Sequence, residues 1–153
     1  MKRRDHPQHT ALSAIREAAA ALADMRRTLG GSSAGKCVLW VDDHPGNNDI
    51  PRRLLEDAGA SVELALSTAE AISRLEGRAG RVDLVISDMG QGENSIAGIE
   101  LLRFLHRAGM CLPVIIYSDS PKAQERRGEI ENLGAVGPVL GPKNLIAAVS
   151  RLL

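Results

Sequence analysis

The sequence predicts an α/β domain built on a parallel sheet with helices on both faces. Three observations carry this. Cys37-Val38-Leu39-Trp40-Val41 is a short apolar run that ends in two adjacent carboxylates, Asp42 and Asp43, and is followed by residues that favour turns, His44-Pro45-Gly46-Asn47-Asn48. Such a run, bounded by turn signals, fits a strand buried on both faces. Two further runs end alike: Asp83–Ser87 stops at Asp88, and Pro113–Tyr117 stops at Ser118 and Asp119. Third, strand and helix patterns alternate five times from Lys36 onward, which predicts βα units rather than hairpins. In a parallel sheet those strand ends share one rim, and ligands of open α/β sheets bind at that rim.

The elements follow in order. Residues 1–9 read as a disordered polar tail, and residues 10–29 as an amphipathic helix rich in alanine, stopped by Gly30-Gly31. Its Ile15, Ala18, Leu22, Met25 and Leu29 follow a three-four alternation, a narrow stripe suited to one partner helix. That stripe fits either a helix lying on its own domain or a homodimer through residues 10–29. Residues 30–35, Gly-Gly-Ser-Ser-Ala-Gly, read as a flexible linker, and 36–153 as the main domain. Strands are expected at Cys37–Asp42, Ser61–Leu66, Val82–Ser87, Pro113–Tyr117 and, weakly, Val136–Leu140, where Gly137 and Pro138 intrude. Helices are expected at Asn48–Ala58, from Ser67 or Thr68 to Leu75 with Gly77 and Gly80 closing it, and at Ala97–Ala108. A charged helix from Ser120-Pro121 to Leu133 and a last one over Lys143–Leu153 complete the set.

Composition narrows the function classes. Nineteen basic and nineteen acidic residues cancel, so no global field favours nucleic acid or an anionic membrane. Trp40, Phe104 and Tyr117 are the only aromatics, too few for a base-stacking platform. Cys37 and Cys111 are far apart, and the four histidines show no ligand spacing, so neither a disulfide framework nor a zinc site is expected. No apolar run is long enough to span a bilayer and no signal segment opens the chain, which predicts a cytoplasmic protein without nucleic-acid or membrane partners.

Three carboxylates at one rim repel each other, so the site favours a divalent cation or raises the pKa of at least one acid. Asp42, Asp43, Asp88 and a backbone carbonyl are hard oxygen donors suited to Mg2+. An ionised Asp there can attack phosphorus to form an acyl phosphate, and the Ser118 hydroxyl can bond a phosphoryl oxygen. One such Asp alone would be read as a turn cap; three at one rim point to chemistry.

Val38-Leu-Trp-Val-Asp-Asp-His-Pro45, with Leu84-Val-Ile-Ser-Asp88, Ala97-Gly-Ile-Glu-Leu-Leu102 and Pro113-Val-Ile-Ile-Tyr-Ser118, resembles the receiver domain of two-component response regulators over about Lys36–Leu153. The resemblance implies a flavodoxin-like (βα)5 doubly wound sheet of strand order 2-1-3-4-5, here with an extra N-terminal helix. It implies Mg2+ on Asp42, Asp43, Asp88 and the Gly90 carbonyl, Asp88 as phosphoacceptor, Ser118 as switch hydroxyl, and a histidine kinase or phosphotransfer protein as donor. The departures are specific. The family's lysine before proline after strand five falls at Gly141, and Lys143, two residues on, is the candidate substitute. The aromatic switch position on strand five is Pro138, the usually small residue after Ser118 is Asp119, and the loop Gly90–Ser95 is longer than usual. The expected function is a stand-alone atypical receiver, not an enzyme, that acts on an unidentified protein target through protein–protein contacts. A phosphorylation-independent pseudo-receiver and a small phosphohydrolase are the alternatives; the second lacks a segment long enough for a substrate cap.

Overall fold

The computed structural model describes residues 7–78 and 81–153. Five strands, β1 (Cys37–Val41), β2 (Ser61–Ala65), β3 (Leu84–Ser87), β4 (Val114–Tyr117) and β5 (Val136–Val139), form one sheet of order β2-β1-β3-β4-β5. All four pairings are parallel, so the flavodoxin-like order expected above is observed. The helices are α1 (Pro7–Leu29), α2 (Asp49–Asp57), α3 (Thr68–Arg78), α4 (Ala97–Arg107), α5 (Pro121–Glu125), α6 (Arg127–Asn132) and α7 (Pro142–Leu152).

The sheet divides the core. Alternate side chains of a strand point to opposite faces. Leu39, Val41, Val85 and Ile116 pack with Leu75 of α3, Ile99 and Leu102 of α4, and Ile130 of α6. Val38, Trp40, Ile86 and Ile115 pack on the other side with Met25 and Leu29 of α1, Leu55 of α2, and Leu145 and Val149 of α7. Each fully buried aliphatic side chain contributes about 1.5–3 kcal/mol of transfer free energy, and both faces of the central strands carry them. That is why these runs are continuously apolar rather than alternating.

Register aligns the strand ends. Val41 lies opposite Ser87, Ser87 opposite Ile116, and Tyr117 opposite Val139. Hydrogen bonding continues one residue beyond: the N–H of Asp42 donates to the Ala65 carbonyl at 2.9 Å, that of Asp88 to Val41 at 3.0 Å, and that of Ser118 to Val139 at 3.1 Å. The residues that carry the chemistry are thus pinned to the sheet at its carboxyl edge.

Several boundaries differ from expectation. The first helix covers Pro7–Leu29, so it includes residues before the expected start at Thr10; residues 1–6 of the expected tail, and the Gly80 stop, lie outside the described residues. Residues 30–35 are not a loose linker but a tight turn. There Lys36 donates to the Ser33 carbonyl at 3.1 Å, Gly35 donates to that of Gly59 at 3.0 Å, and Ser33 is fully buried. This seats the end of α1 on its own domain: Met25 and Leu29 are buried, and the Ser150 hydroxyl of α7 donates to the Thr28 carbonyl at 2.9 Å. The lower half of the expected dimer stripe is therefore already covered, while Leu12 and Ile15 stay exposed.

The single helix expected to Leu133 is two, α5 and α6. They part at Arg126 (φ −99°, ψ 12°), whose N–H reaches back to Lys122 and Ala123 and whose guanidinium swings to Glu129 at 2.9 Å. The fifth strand forms despite its proline because it is an edge strand, where a missing donor is tolerated. Gly137 is required there: a Cβ on it would lie 2.6 Å from the Ile116 carbonyl oxygen.

Candidate functional site

Asp42, at the end of β1, is buried, and both of its carboxylate oxygens are held. Oδ1 accepts from the backbone N–H of His44 at 2.8 Å, and Oδ2 from the Asn48 amide at 2.5 Å. The 3₁₀ turn Pro45–Asn48 places both donors, so the residues after the strand curl back under the carboxylate they follow. Asp43 is held by other partners. Its Oδ2 accepts from the Gly92 N–H at 2.9 Å, and its Oδ1 lies 3.1 Å from Nδ1 of exposed His44. The Gly92 bond, then His44, holds the Asp43 carboxyl below its ordinary value, and the same pair raises His44.

Asp88 ends β3. Its Oδ1 accepts from the Met89 N–H at 2.7 Å. Burial pushes its carboxyl up to about 6; the Met89 N–H opposes this, and the charges of Asp42, Asp43 and Asp119 add to it. The backbone behind it is fixed by α4: Gly98 donates to the Met89 carbonyl at 2.8 Å, and a Cβ at Gly98 would lie 2.7 Å from the Asp88 carbonyl oxygen. Only glycine permits this approach of helix to Asp88.

The loop Gly90–Ser95 closes one side. Gln91 accepts from the Thr68 N–H at the start of α3 at 2.8 Å, Gln91 and Asn94 exchange backbone hydrogen bonds, and the Asn94 side chain accepts from Ile96 at 3.1 Å. These bonds present Gly92 (φ +55°), whose N–H reaches Asp43, in a conformation glycine favours.

One oxygen each of Asp42, Asp43 and Asp88 lies within 4.8 Å of the others. They border an open cavity of about 440 Å³ that also meets Trp40, His44, Ser118, Asp119 and Gly141. The Ser118 hydroxyl is 3.1 Å from that of Ser120, whose N–H donates to it at 3.2 Å. Lys143 is exposed in the first turn of α7 and is not among the residues that border the cavity; among the described residues that do, none is Lys or Arg. Gly90 begins the loop beside the cluster but does not border the cavity. Trp40, expected to be core, is core and also a cavity wall, its ring edge-on to Tyr117 at 6.3 Å between centroids.

The structure thus brings Asp42, Asp43, Asp88 and Ser118 to one rim and leaves Lys143 away from it. Sequence reasoning missed Asn48 as a second support for Asp42, and it missed Gly92 and Gly98 as backbone partners of the site. Asn48 and Gly92 carry no pattern of their own; Gly98, a glycine in the first turn of a helix, was a visible signal. The donor set is all oxygen and anionic and borders an open cavity, which fits a hard divalent cation such as Mg2+.

Comparison with known proteins agrees. A family model described as the response regulator receiver domain matches residues 38–150. The methanol utilization control regulatory protein MoxX of Paracoccus denitrificans is 34% identical over 85 residues, which are 53% of this chain and 36% of that protein. The chain thus spans about a third of the length of that relative. The chemotaxis response regulator CheY4 of Vibrio cholerae superposes with a TM-score of 0.62 at 26% identity, covering 77% of this chain and 98% of that one. The response regulator TrrA of Thermotoga maritima, in complex with Mg(2+)-BeF, superposes with a TM-score of 0.62 at 22% identity over 77% of this chain and 99% of that one. With its five-stranded parallel sheet and acidic rim, the chain belongs to the response regulator receiver domain family.

Proposed function

We propose that this receiver accepts a phosphoryl group on Asp88 and passes the signal on through protein–protein contacts. The observation that carries the reading is the convergence of Asp42, Asp43 and Asp88 at one cavity. Asp88 is assigned as the acceptor because it borders the cavity and, among the described residues, only one of its carboxylate oxygens is taken, by the Met89 N–H. Asp42, Asp43, Asp88 and the Gly90 carbonyl would hold Mg2+, as TrrA holds Mg(2+)-BeF. Bound there, the ion supplies neutralisation of the charge on the transferring group. In the transfer, an Asp88 oxygen attacks phosphorus, the bond from phosphorus to the donor breaks, and the donor leaves. Ser118 offers a hydroxyl donor to a phosphoryl oxygen. Histidine kinases or phosphotransfer proteins are the donor class.

Incubation with Mg2+ and acetyl phosphate, followed by intact-mass spectrometry, tests this. One phosphoryl adduct, absent from Asp88→Asn, is the expected result; an unmodified, folded protein overturns it.

A second reading rests on Gly141 and Pro138. With no Lys or Arg among the described residues that border the cavity and no aromatic ring on β5, the domain would engage its partner whatever the state of Asp88. Under that reading Asp88→Asn captures the same partner as the unaltered chain. A homodimer through residues 10–29 would use Leu12 and Ile15, since Met25 and Leu29 are covered. Sedimentation of the full chain beside Ile15→Glu tests it: equal masses remove the dimer.

A further inference from the structure

Asp119 stands directly after the Ser118 hydroxyl and borders the same cavity as Asp88. It is exposed, and among the described residues its carboxylate has no hydrogen-bond or ion-pair partner. It therefore caps no turn and braces no neighbour, and a fourth acid at this rim costs charge repulsion. Its charge reaches Asp88 and contributes to the rise of that carboxyl. The cavity of about 440 Å³ has room for a phosphoryl group and water beside it, a water's share of liquid volume being about 30 Å³. Gly141 on the facing wall has no side chain, and open space surrounds it, so solvent enters freely.

A free carboxylate beside an acyl phosphate and open to water is placed to accept a proton from that water. We propose that Asp119 is the catalytic base that hydrolyses the phosphoryl group from Asp88, so that the domain ends its own signal. The inference rests on Asp88 as the acceptor. In the step, a water oxygen bonds to phosphorus and the bond between phosphorus and the Asp88 oxygen breaks. Asp88 leaves as a carboxylate, and the water's proton goes to Asp119 and then to solvent. The products are inorganic phosphate and the free acceptor.

General-base assistance of this kind is worth about 10²–10⁴ in rate at best, and a solvent-exposed base delivers the lower part of that range. The test loads the full chain with acetyl phosphate and Mg2+, removes the donor by rapid desalting, and follows decay of the adduct by intact mass. Asp119→Asn and Asp119→Ala are expected to lengthen the adduct's half-life about a hundredfold, and to abolish the solvent deuterium isotope effect on decay. Asp119→Glu is expected to keep both near the unaltered values. Because Asp119 is exposed and unpartnered, these variants fold. Adducts of equal or shorter half-life overturn the proposal and leave Asp88 as acceptor. So does faster loading with unchanged decay, which would make Asp119 merely repulsive. Absence of adduct in every protein overturns both readings together.

Discussion

The two halves of the rim are built differently. On the β1–β3 side, Asp42 and Asp43 each have both oxygens engaged and Asp88 has one, and four of the five donors are a backbone N–H or an amide: His44, Asn48, Gly92 and Met89. On the β4–β5 side, the Ser118 hydroxyl meets only its neighbour Ser120 among the described residues, Asp119 is unpaired, and Gly141 presents no side chain. Hydrogen bonds to charged groups contribute about 1.5–3 kcal/mol each, so the first half is stiff and preorganised while the second is sparsely held. Stiffness on one side and sparseness on the other coexist at this rim because the two halves depend on different strands and on different residues.

The largest effect should come from the backbone that supports the first half. Gly98→Ala places a methyl 2.7 Å from the Asp88 carbonyl oxygen and 3.2 Å from both Met89 Cα and Ile116 Cδ1. Neither backbone atom can yield without moving Asp88, and overpacking of this kind costs about 3 kcal/mol. Gly141→Ala, on the sparse side, meets nothing within 4 Å and suffers only its backbone conformation, φ +78° and ψ 154°, a region nearly confined to glycine, which costs about 2 kcal/mol. Urea titrations of both variants give the ordering; if Gly98→Ala unfolds no more readily than Gly141→Ala, the contrast in rigidity is wrong.

Metal affinity sharpens the same contrast. Asp42→Asn and Asp43→Asn each remove an anionic oxygen from the cluster and should weaken Mg2+ binding at least about tenfold, or 1.4 kcal/mol. Ser118→Ala should leave it unchanged. Calorimetry measures this directly, and Trp40, which borders the cavity, offers a fluorescence readout. Equal losses for Asp42→Asn and Ser118→Ala would mean that the cation sits across both halves.

How much of this was legible in the sequence follows the same division. The apolar runs ending in Asp42, Asp88 and Ser118 announce a parallel sheet and its rim, because a strand buried on both faces cannot be written otherwise. The strand order and the three carboxylates were readable on that basis. The supports were not. Gly92 reaches Asp43 across 49 positions and does so through a backbone N–H, which every residue but proline has. The tight turn at residues 30–35 reads as a linker by composition, yet Gly35 and Ser33 are tied down by partners far from them in sequence or buried by the fold. Arg126, where α5 and α6 part, is followed two residues on by Gly128, a weak helix former and a visible signal of the break, and its guanidinium reaches Glu129 inside α6.

The smallest effect separates the two acids of the stiff half by sign. Asp88 titrates at about 6 in the folded chain against an ordinary value of 3.8, with burial as the first cause. The folded state therefore holds this proton while the unfolded state has released it. Between about pH 4 and 6 the native protein binds more protons than the unfolded one, and stability of the metal-free chain falls as pH rises through that window. A fully buried group with this shift would supply about 3 kcal/mol; Asp88 borders open water, and screening reduces this to about 1 kcal/mol. Asp43 runs the other way. Its carboxyl is lowered by the Gly92 N–H, so its stabilisation is present above pH 3.8 and is lost as pH falls through a still lower value. The two windows do not overlap. Thermal melts in chelator should show a decline from pH 4 to 6.5 that Asp88→Asn removes and Asp43→Asn leaves in place. If Asp88→Asn keeps the decline, burial does not govern Asp88, and the stiffness of this half comes from its hydrogen bonds alone.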